Sequence, residues 1–158
     1  DMLSHARTEM EVLKEIASDE AAYRSLTFSW FDHSPLLNAL LKLKERKVRL
    51  IITSDHGTVR VQNPSKIIGD KATTTNLRYK TGRNLNFNEK EVFYIKNPEE
   101  AHLPKSNLSS SYVFAKEDYY FCYPNNYNHF VNYYRNTFQH GGVSIEEMIV
   151  PVAVFESK

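Results

Sequence analysis

Three short stretches of this sequence carry residue types that bind divalent metal ions. Asp1 and His5 have the spacing of two side chains that share one face of a helical turn. Asp55 and His56 are adjacent and precede a glycine, which permits the turn that lets neighbouring side chains diverge around an ion. His140 precedes two glycines, which allow the positive φ angles of a tight turn. Carboxylate and imidazole groups together form a ligand set suited to zinc or a similar divalent ion.

Each of these patterns also has an ordinary structural explanation. An Asp-x-x-x-His spacing arises by chance on helix surfaces, and a histidine before Gly-Gly is often part of a helix C-cap. An Asp-His pair at a strand end is compatible with a site and with a plain turn. Three further histidines have no such context: His33 near a helix start, His102 in a loop and His129 in a helix.

The elements that must position these residues are helices followed by a β-branched strand. Apolar residues at helical spacing predict a helix over 8–24, and Ser34 and Pro35 predict the start of a second, strongly apolar helix. The run 48–53 predicts a buried strand, so the chain is expected to adopt an α/β fold with α/β/α layers. Ligands of open α/β sheets bind at the carboxyl ends of strands, which favours a site at Asp55.

The stretch that follows Asp-His-Gly is basic and rich in turn residues. We interpret 58–118 as a loop-rich insertion that contains short strands over 58–62, 92–95 and 112–116. Its cations can be ordinary surface side chains, or they can flank a metal centre and guide the charge of a phosphate group. On the second interpretation, the better candidates for substrate binding are Arg60, Lys66, Arg78 and Lys80.

Tyrosine and phenylalanine are concentrated in residues 119–138. This favours core packing, with a helix near 126–137, although exposed members of the group could stack on nucleobases. A short acidic helix near Ser144 and a last strand over 149–155 complete the prediction.

The composition excludes several classes of protein. The chain has 158 residues, which suits one domain or a piece of one, and its net charge of +1 gives no field that would favour duplex DNA or an acidic membrane. Its apolar runs are far shorter than the roughly 20 residues that span a bilayer. The single cysteine, Cys122, excludes an internal disulfide framework and a thiolate zinc site, and it favours the cytoplasm.

The order of the metal-binding motifs resembles the alkaline phosphatase superfamily, and within it the PglZ domain. The Asp-x-x-x-His pair, the strand before Asp-His-Gly and the His-Gly-Gly before a final strand follow one another in that order, so the resemblance covers residues 1–158. Stretches 51–85, 112–126 and 132–152 are similar to the C-terminal part of PorX response regulators of Bacteroidetes, which are linked to type IX secretion. In that family a receiver domain precedes the PglZ domain.

The resemblance implies two zinc ions around a Thr or Ser nucleophile. Asp1, His5 and His140 match the ligands of one ion, and Asp55 and His56 match ligands of the second. In the superfamily, the remaining aspartate and the nucleophile lie on segments that precede the Asp-x-x-x-His motif. We therefore expect this sequence to begin inside the domain, with the nucleophile segment and a receiver domain upstream, and we expect the chain alone to be inactive.

The function implied by the resemblance is that of a zinc-dependent phosphohydrolase or phosphodiesterase, the effector domain of a two-component regulator. Its substrates would be phosphorylated small molecules such as nucleotides, or short oligonucleotides. The alternative is a regulatory interaction domain in which zinc is structural or senses a ligand. Partners implied through the parent regulator are a sensor kinase, a sigma factor and secretion-system proteins, with no membrane and no duplex DNA.

Overall fold

A computed structural model describes residues 19–70, 73–105 and 107–156. This part of the chain contains both helices and strands, which confirms the α/β class, whereas the α/β/α layering stays a prediction. Two short 3-10 helices, Glu89–Glu91 and Pro98–Ala101, lie between strands. The helices are α1 Glu20–Asp32, α2 Pro35–Lys44, α3 Tyr127–Tyr134 and α4 Ile145–Met148. The strands are β1 Arg49–Thr53, β2 Val59–Arg60, β3 Asn63–Lys66, β4 Tyr79–Gly82, β5 Val92–Ile95, β6 Ser111–Ala115, β7 Tyr119–Cys122, β8 Phe138–Gln139 and β9 Val152–Glu156.

The chain divides into two compact units. The first runs to Asp55 and resumes at Pro151, and the second comprises residues 56–150. Among the helices of the described ranges, none has the length and apolar character needed to cross a bilayer.

Each described helix of the first unit begins directly after an N-capping residue. The Asp19 carboxylate accepts a hydrogen bond from the Ala22 N–H at 2.8 Å, and the Ser34 hydroxyl accepts one from the Leu37 N–H at 3.2 Å. Pro35 occupies the first turn of α2, so the predicted start of this helix is confirmed. Of the helix predicted over 8–24, residues 8–18 lie outside the described part, and α1 continues to Asp32.

The strand predicted over 48–53 is present, but the prediction that it is buried was wrong. β1 pairs antiparallel with β9 in a two-stranded sheet, with Arg49 opposite Glu156 and Thr53 opposite Val152. Ile51 remains 59% exposed. A β-branched run favours the extended backbone, but burial also requires neighbours that cover both faces of the sheet, and every residue of β9 is itself exposed.

The second unit has a dense core made from short strands. β4, β6 and β5 form an antiparallel sheet, β3 pairs in parallel with β7, and β2 pairs antiparallel with β8. Two clusters of buried apolar side chains fill the unit. One contains Val59, Val61, Tyr120, Cys122 and Val131, and the other contains Ile67, Val92, Val113, Ala115 and Phe121.

The segment 58–118 therefore carries more regular structure than its turn-rich sequence indicates. It contains the five strands β2 to β6, and strands 92–95 and 112–116 were predicted within one residue of their observed bounds. It also supplies much of the buried apolar surface of the second unit. Its description as an insertion stays a prediction.

The aromatic stretch 119–138 contributes to this core, as predicted. Tyr120 and Phe121 are buried on β7, and the Tyr120 hydroxyl donates a 2.7 Å hydrogen bond to the Val131 carbonyl of α3. The aromatic rings thus join a strand to the helix that follows it.

Candidate functional site

The pairing of β2 with β8 brings two of the predicted metal ligands together. Val59 lies opposite Gln139 in this antiparallel pair, so the residues just before β2 face those just after β8. His56 precedes β2 and His140 follows β8. Their imidazole rings stack with centroids 3.9 Å apart and planes inclined by 12°.

The tautomer of His56 follows from its contact with the next residue. The His56 Nδ1 atom lies 2.8 Å from the Gly57 carbonyl oxygen, which can only accept a hydrogen bond. Nδ1 must therefore carry the proton, and in the neutral ring the lone pair is on Nε2. Metal-binding histidines commonly donate their other ring N–H to a backbone carbonyl in this way, because the contact fixes the tautomer and the ring orientation.

The turn that carries His140 needs its glycines. Gly141 has a φ of +102°, a conformation that residues with a side chain rarely adopt. A Cβ atom there would also lie 3.0 Å from the Asn76 side-chain nitrogen. The same Asn76 amide donates a hydrogen bond of 3.4 Å to the His140 carbonyl.

A buried ion pair lies behind this turn. The Arg78 guanidinium donates from Nε and one terminal nitrogen to the two carboxylate oxygens of Glu147, at 2.9 and 2.8 Å. Both side chains are excluded from water. Arg78 also donates to the Glu117 and Tyr119 carbonyls, so its hydrogen bonds are used inside the fold.

The four predicted substrate-binding cations differ in their access to solvent. Lys66 is exposed at the end of β3, and Arg60 is partly exposed in β2. Arg78 and Lys80 are 0% and 1% exposed. The Lys80 ammonium donates to the Thr74 carbonyl at 2.8 Å and lies 4.7 Å from the centre of the Tyr123 ring. Substrate contact by Arg78 or Lys80 stays a prediction, and the structure gives each a role within the core.

Of the other three predicted ligands, the structure describes only Asp55. Asp1 and His5 lie outside the described part of the chain, and Asp55 is an exposed residue at the end of the first unit. Over residues 19–70, 73–105 and 107–156, no group of three or more His, Cys, Asp or Glu side chains is arranged to hold a metal ion. Zinc binding by the five-residue set therefore stays a prediction.

Comparison with protein families tests the resemblance to the PglZ domain that the motifs suggest. Residues 1–155 match the family described as the BREX system PglZ alkaline phosphatase-like domain. The chain belongs to the PglZ family. No curated protein matches it. The alkaline phosphatase-like character of the family indicates a phosphatase-like hydrolase.

Sequence reasoning missed one residue that shapes this part of the PglZ domain. Glu147 was read only as part of a short acidic helix, yet its carboxylate is buried and accepts hydrogen bonds from the backbone N–H groups of Gly142 and Ser144, at 2.9 and 3.2 Å. The Ser-x-x-Glu spacing of Ser144 and Glu147 is the sequence signal of a helix start whose glutamate folds back, and it could have identified this contact.

Proposed function

We propose that this PglZ domain is the zinc-dependent catalytic part of a phosphohydrolase that cleaves phosphodiesters of nucleotides or short oligonucleotides. The proposal joins the family assignment to one observation, the stacked pair of His56 and His140. These two residues are 84 positions apart in the sequence, yet both belong to motifs that match zinc ligands of the superfamily.

The geometry of the two rings suits one ion on each ring. The lone pair of an imidazole nitrogen lies in the plane of its ring, so two nearly parallel planes separated by a stacking distance do not converge on one ion. A site with two ions can use such a pair, with His140 on one ion and His56 on the other. The hydrogen bond from His56 Nδ1 to Gly57 supports this role, since metal-binding histidines commonly donate their other ring N–H to a backbone carbonyl.

The remaining ligands in this proposal are carboxylates and one further histidine. Asp1 and His5 would share the ion of His140, and Asp55 would share the ion of His56. Zinc held by such a set keeps coordination positions open, polarises phosphoryl oxygens and lowers the pKa of a bound hydroxyl or water.

Cations that follow the Asp-His-Gly motif in the sequence support a phosphorylated substrate. Arg60 lies four residues after His56, and Lys66 is exposed at the end of the following strand. Guanidinium and ammonium groups bind phosphate oxygens through charge-assisted hydrogen bonds. The exposed ring of Tyr133 on α3, which stacks on His129, is the kind of surface on which a nucleobase can lie.

The wider context of the proposal comes from the resemblance to PorX response regulators. There the domain would be the effector of a cytoplasmic two-component regulator, switched by a receiver domain. A sensor kinase, a sigma factor and secretion-system proteins would be partners of the whole regulator.

The test is hydrolysis of bis(p-nitrophenyl) phosphate by the natural protein that contains this domain. Turnover should require zinc or a similar ion and should stop when a chelator is added. His140→Ala and Asp55→Ala should each reduce turnover by orders of magnitude, because the loss of one ligand commonly removes the ion.

His33→Ala is the matched control, since His33 is an exposed histidine at the C-terminus of α1 and is not among the proposed ligands or substrate contacts. Its turnover should equal that of the wild type. Turnover that resists chelation, or that survives both ligand substitutions, would contradict the proposal. Tight zinc binding without turnover would favour the alternative, an interaction domain in which zinc is structural or senses a ligand.

A further inference from the structure

We propose that Glu147 is a positioning residue that holds the two histidine turns together, and that Arg78 fixes the Glu147 carboxylate in place. This proposal rests on the function proposed above, because it concerns how the two zinc-binding histidines are kept side by side. It also gives Arg78, which the sequence predicts to bind substrate, a role that acts through Glu147.

The side chain of Glu147 holds the turn that follows His140. One carboxylate oxygen accepts the Gly142 N–H at 2.9 Å, and the other accepts the Ser144 N–H at 3.2 Å. These donors lie two and four residues after His140. Because the turn between β8 and α4 is short, fixing its N–H groups also fixes the direction in which the chain leaves His140.

The backbone of Glu147 holds the turn that follows His56. The Glu147 carbonyl accepts a hydrogen bond from the Gly57 N–H at 2.9 Å. The chain passes so close here that a Cβ atom on Gly57 would collide with the Glu146 carbonyl oxygen. Gly57 also forms a hydrogen bond through its carbonyl oxygen, which accepts from His56 Nδ1. One residue of α4 therefore contacts both turns.

Arg78 keeps the carboxylate charged and oriented. Burial by itself would raise the pKa of the Glu147 carboxyl, but the hydrogen bonds and charge of Arg78, with the donors of Gly142 and Ser144, hold that pKa below its ordinary value. The guanidinium binds both oxygens in a fork, a geometry that a lysine ammonium cannot reproduce.

Asn76 links the same framework to His140 by a second route. Its side-chain oxygen accepts from the N–H groups of Arg78 and Tyr79, at 2.7 and 3.1 Å. Its amide nitrogen donates to the His140 carbonyl. The Arg78 backbone is thereby linked to His140 through Asn76. The Arg78 side chain is linked through Glu147 to the turn that follows His140.

A general contribution to stability does not account for this arrangement. The desolvation of two buried charges offsets much of their attraction, so a buried ion pair is weak evidence for stability. The contacts made by Glu147 instead converge on the two turns that carry the stacked rings. Partners of this kind, one step removed from the metal, typically change metal affinity by about 10–100-fold when they are replaced.

The experiment measures zinc affinity by competition with a chromogenic chelator, using the whole chain and conditions in which circular dichroism shows each variant to be folded. Glu147→Gln keeps the size of the side chain but removes its charge and one acceptor oxygen. We expect its affinity for zinc to fall about 10–100-fold.

The control is Tyr120→Phe, which removes a buried hydrogen bond of the same unit without touching either turn. It should destabilise the chain yet keep its zinc affinity within about threefold of the wild type. If Tyr120→Phe lowered zinc affinity as much as Glu147→Gln, the effect would be one of stability, and the positioning role would be overturned. Unchanged affinity in a folded Glu147→Gln variant would overturn it as well.

A second variant covers the case in which Glu147→Gln does not fold. In Gly142→Ala, the new Cβ would lie 2.6 Å from a Glu147 carboxylate oxygen and 3.0 Å from two nitrogens of the Arg78 guanidinium, so the paired side chains and the turn must move apart. We expect the same loss of zinc affinity, and a folded Gly142→Ala variant with wild-type affinity would overturn the proposal.

A measurement on the zinc-free chain tests this proposal independently of the proposed function. Nuclear Overhauser contacts between the imidazole protons of His56 and His140 should be present in the zinc-free chain and weaken in the Glu147→Gln and Gly142→Ala variants. If the wild type binds no zinc, the proposed function fails, and these contacts still decide whether Glu147 positions the rings. Contacts that persist unchanged in both folded variants would overturn the positioning role.

Discussion

The two compact units of this chain bury their apolar residues to very different extents. The second unit contains two clusters of buried side chains, built from strands of two to five residues. In its described part, the first unit has longer helices and two strands of five residues each, yet Ile51 and Val154 on its paired strands are largely exposed. Regular secondary structure and a buried core are therefore separate properties, and in this chain the shorter elements make the better core.

The same contrast holds for charged groups. In the first unit, the Arg49 guanidinium contacts the Glu156 carboxylate at 2.6 Å, and the side chains are 68% and 63% exposed. In the second unit, the Arg78–Glu147 pair has almost no contact with water. Water screens the first pair and not the second, so loss of one partner should have very different consequences.

The largest expected difference comes from breaking these two ion pairs. Arg78→Met would leave the Glu147 carboxylate buried without its cation and should lower the free energy of unfolding by about 3–5 kcal/mol. Arg49→Met should lower it by about 1 kcal/mol or less, because that pair is exposed and screened. Urea unfolding of both variants measures the difference. Equal losses would show that the contrast in burial does not govern the energetics.

The buried cation Lys80 gives the second unit a particular dependence on pH. Burial lowers the pKa of Lys80 from 10.5 to about 8, so above pH 8 the unfolded chain binds a proton that the folded chain lacks. Stability should therefore rise from pH 8 to 9, by about 1 kcal/mol, given about 1.4 kcal/mol for each pKa unit.

Neighbouring groups should end this rise. Burial raises the pKa of Cys122 from 9.0 to about 11, and burial raises that of Tyr120 from 10.0 to about 12. For these groups the folded chain keeps a proton that the unfolded chain has lost, so their contributions oppose Lys80 above pH 9 and dominate above about pH 10. Chemical unfolding at several pH values measures the profile. Lys80→Met should remove the rise between pH 8 and 9, and a rise that survives the substitution would have another origin.

The smallest expected difference uses the same substitution in both units. Ile67 is completely buried, and Ile51 is mostly exposed. Ile67→Val should cost about 0.5–1.5 kcal/mol, the usual range for removing one buried methylene group. Ile51→Val should stay within about 0.5 kcal/mol of the wild type, as is usual at exposed positions. Thermal unfolding of the two variants measures both, and a larger loss at Ile51 would reverse the comparison.

A part of the fold can be predicted from the sequence when the residues that determine it lie close together along the chain. Ser34 and Pro35 specify the start of α2 through contacts within one turn, and the start was predicted correctly. The burial of β1 depends on partners far away in the sequence, which a β-branched pattern does not contain. The strands between Val59 and Ala115 are short and contain turn-forming residues, so their pairing could not be read from periodicity.

The candidate site was predictable in its residues and only partly in its structure. His56 and His140 were identified from motif order, because each precedes glycines next to a predicted strand. Their stacking depends on the register of β2 against β8, a pairing of only two residues on each strand. The buried pair of Arg78 and Glu147 could not be predicted, since a sequence does not show which arginine of a basic segment will enter the core.

The central claim is that His56 and His140 bind zinc, and calorimetric titration of the zinc-free chain with zinc tests it most directly. His56→Ala and His140→Ala should each weaken zinc binding by at least about 10-fold, because each removes a nitrogen ligand, while His129→Ala should bind as the wild type does. Zinc affinity that is unchanged in both His56→Ala and His140→Ala would contradict the account.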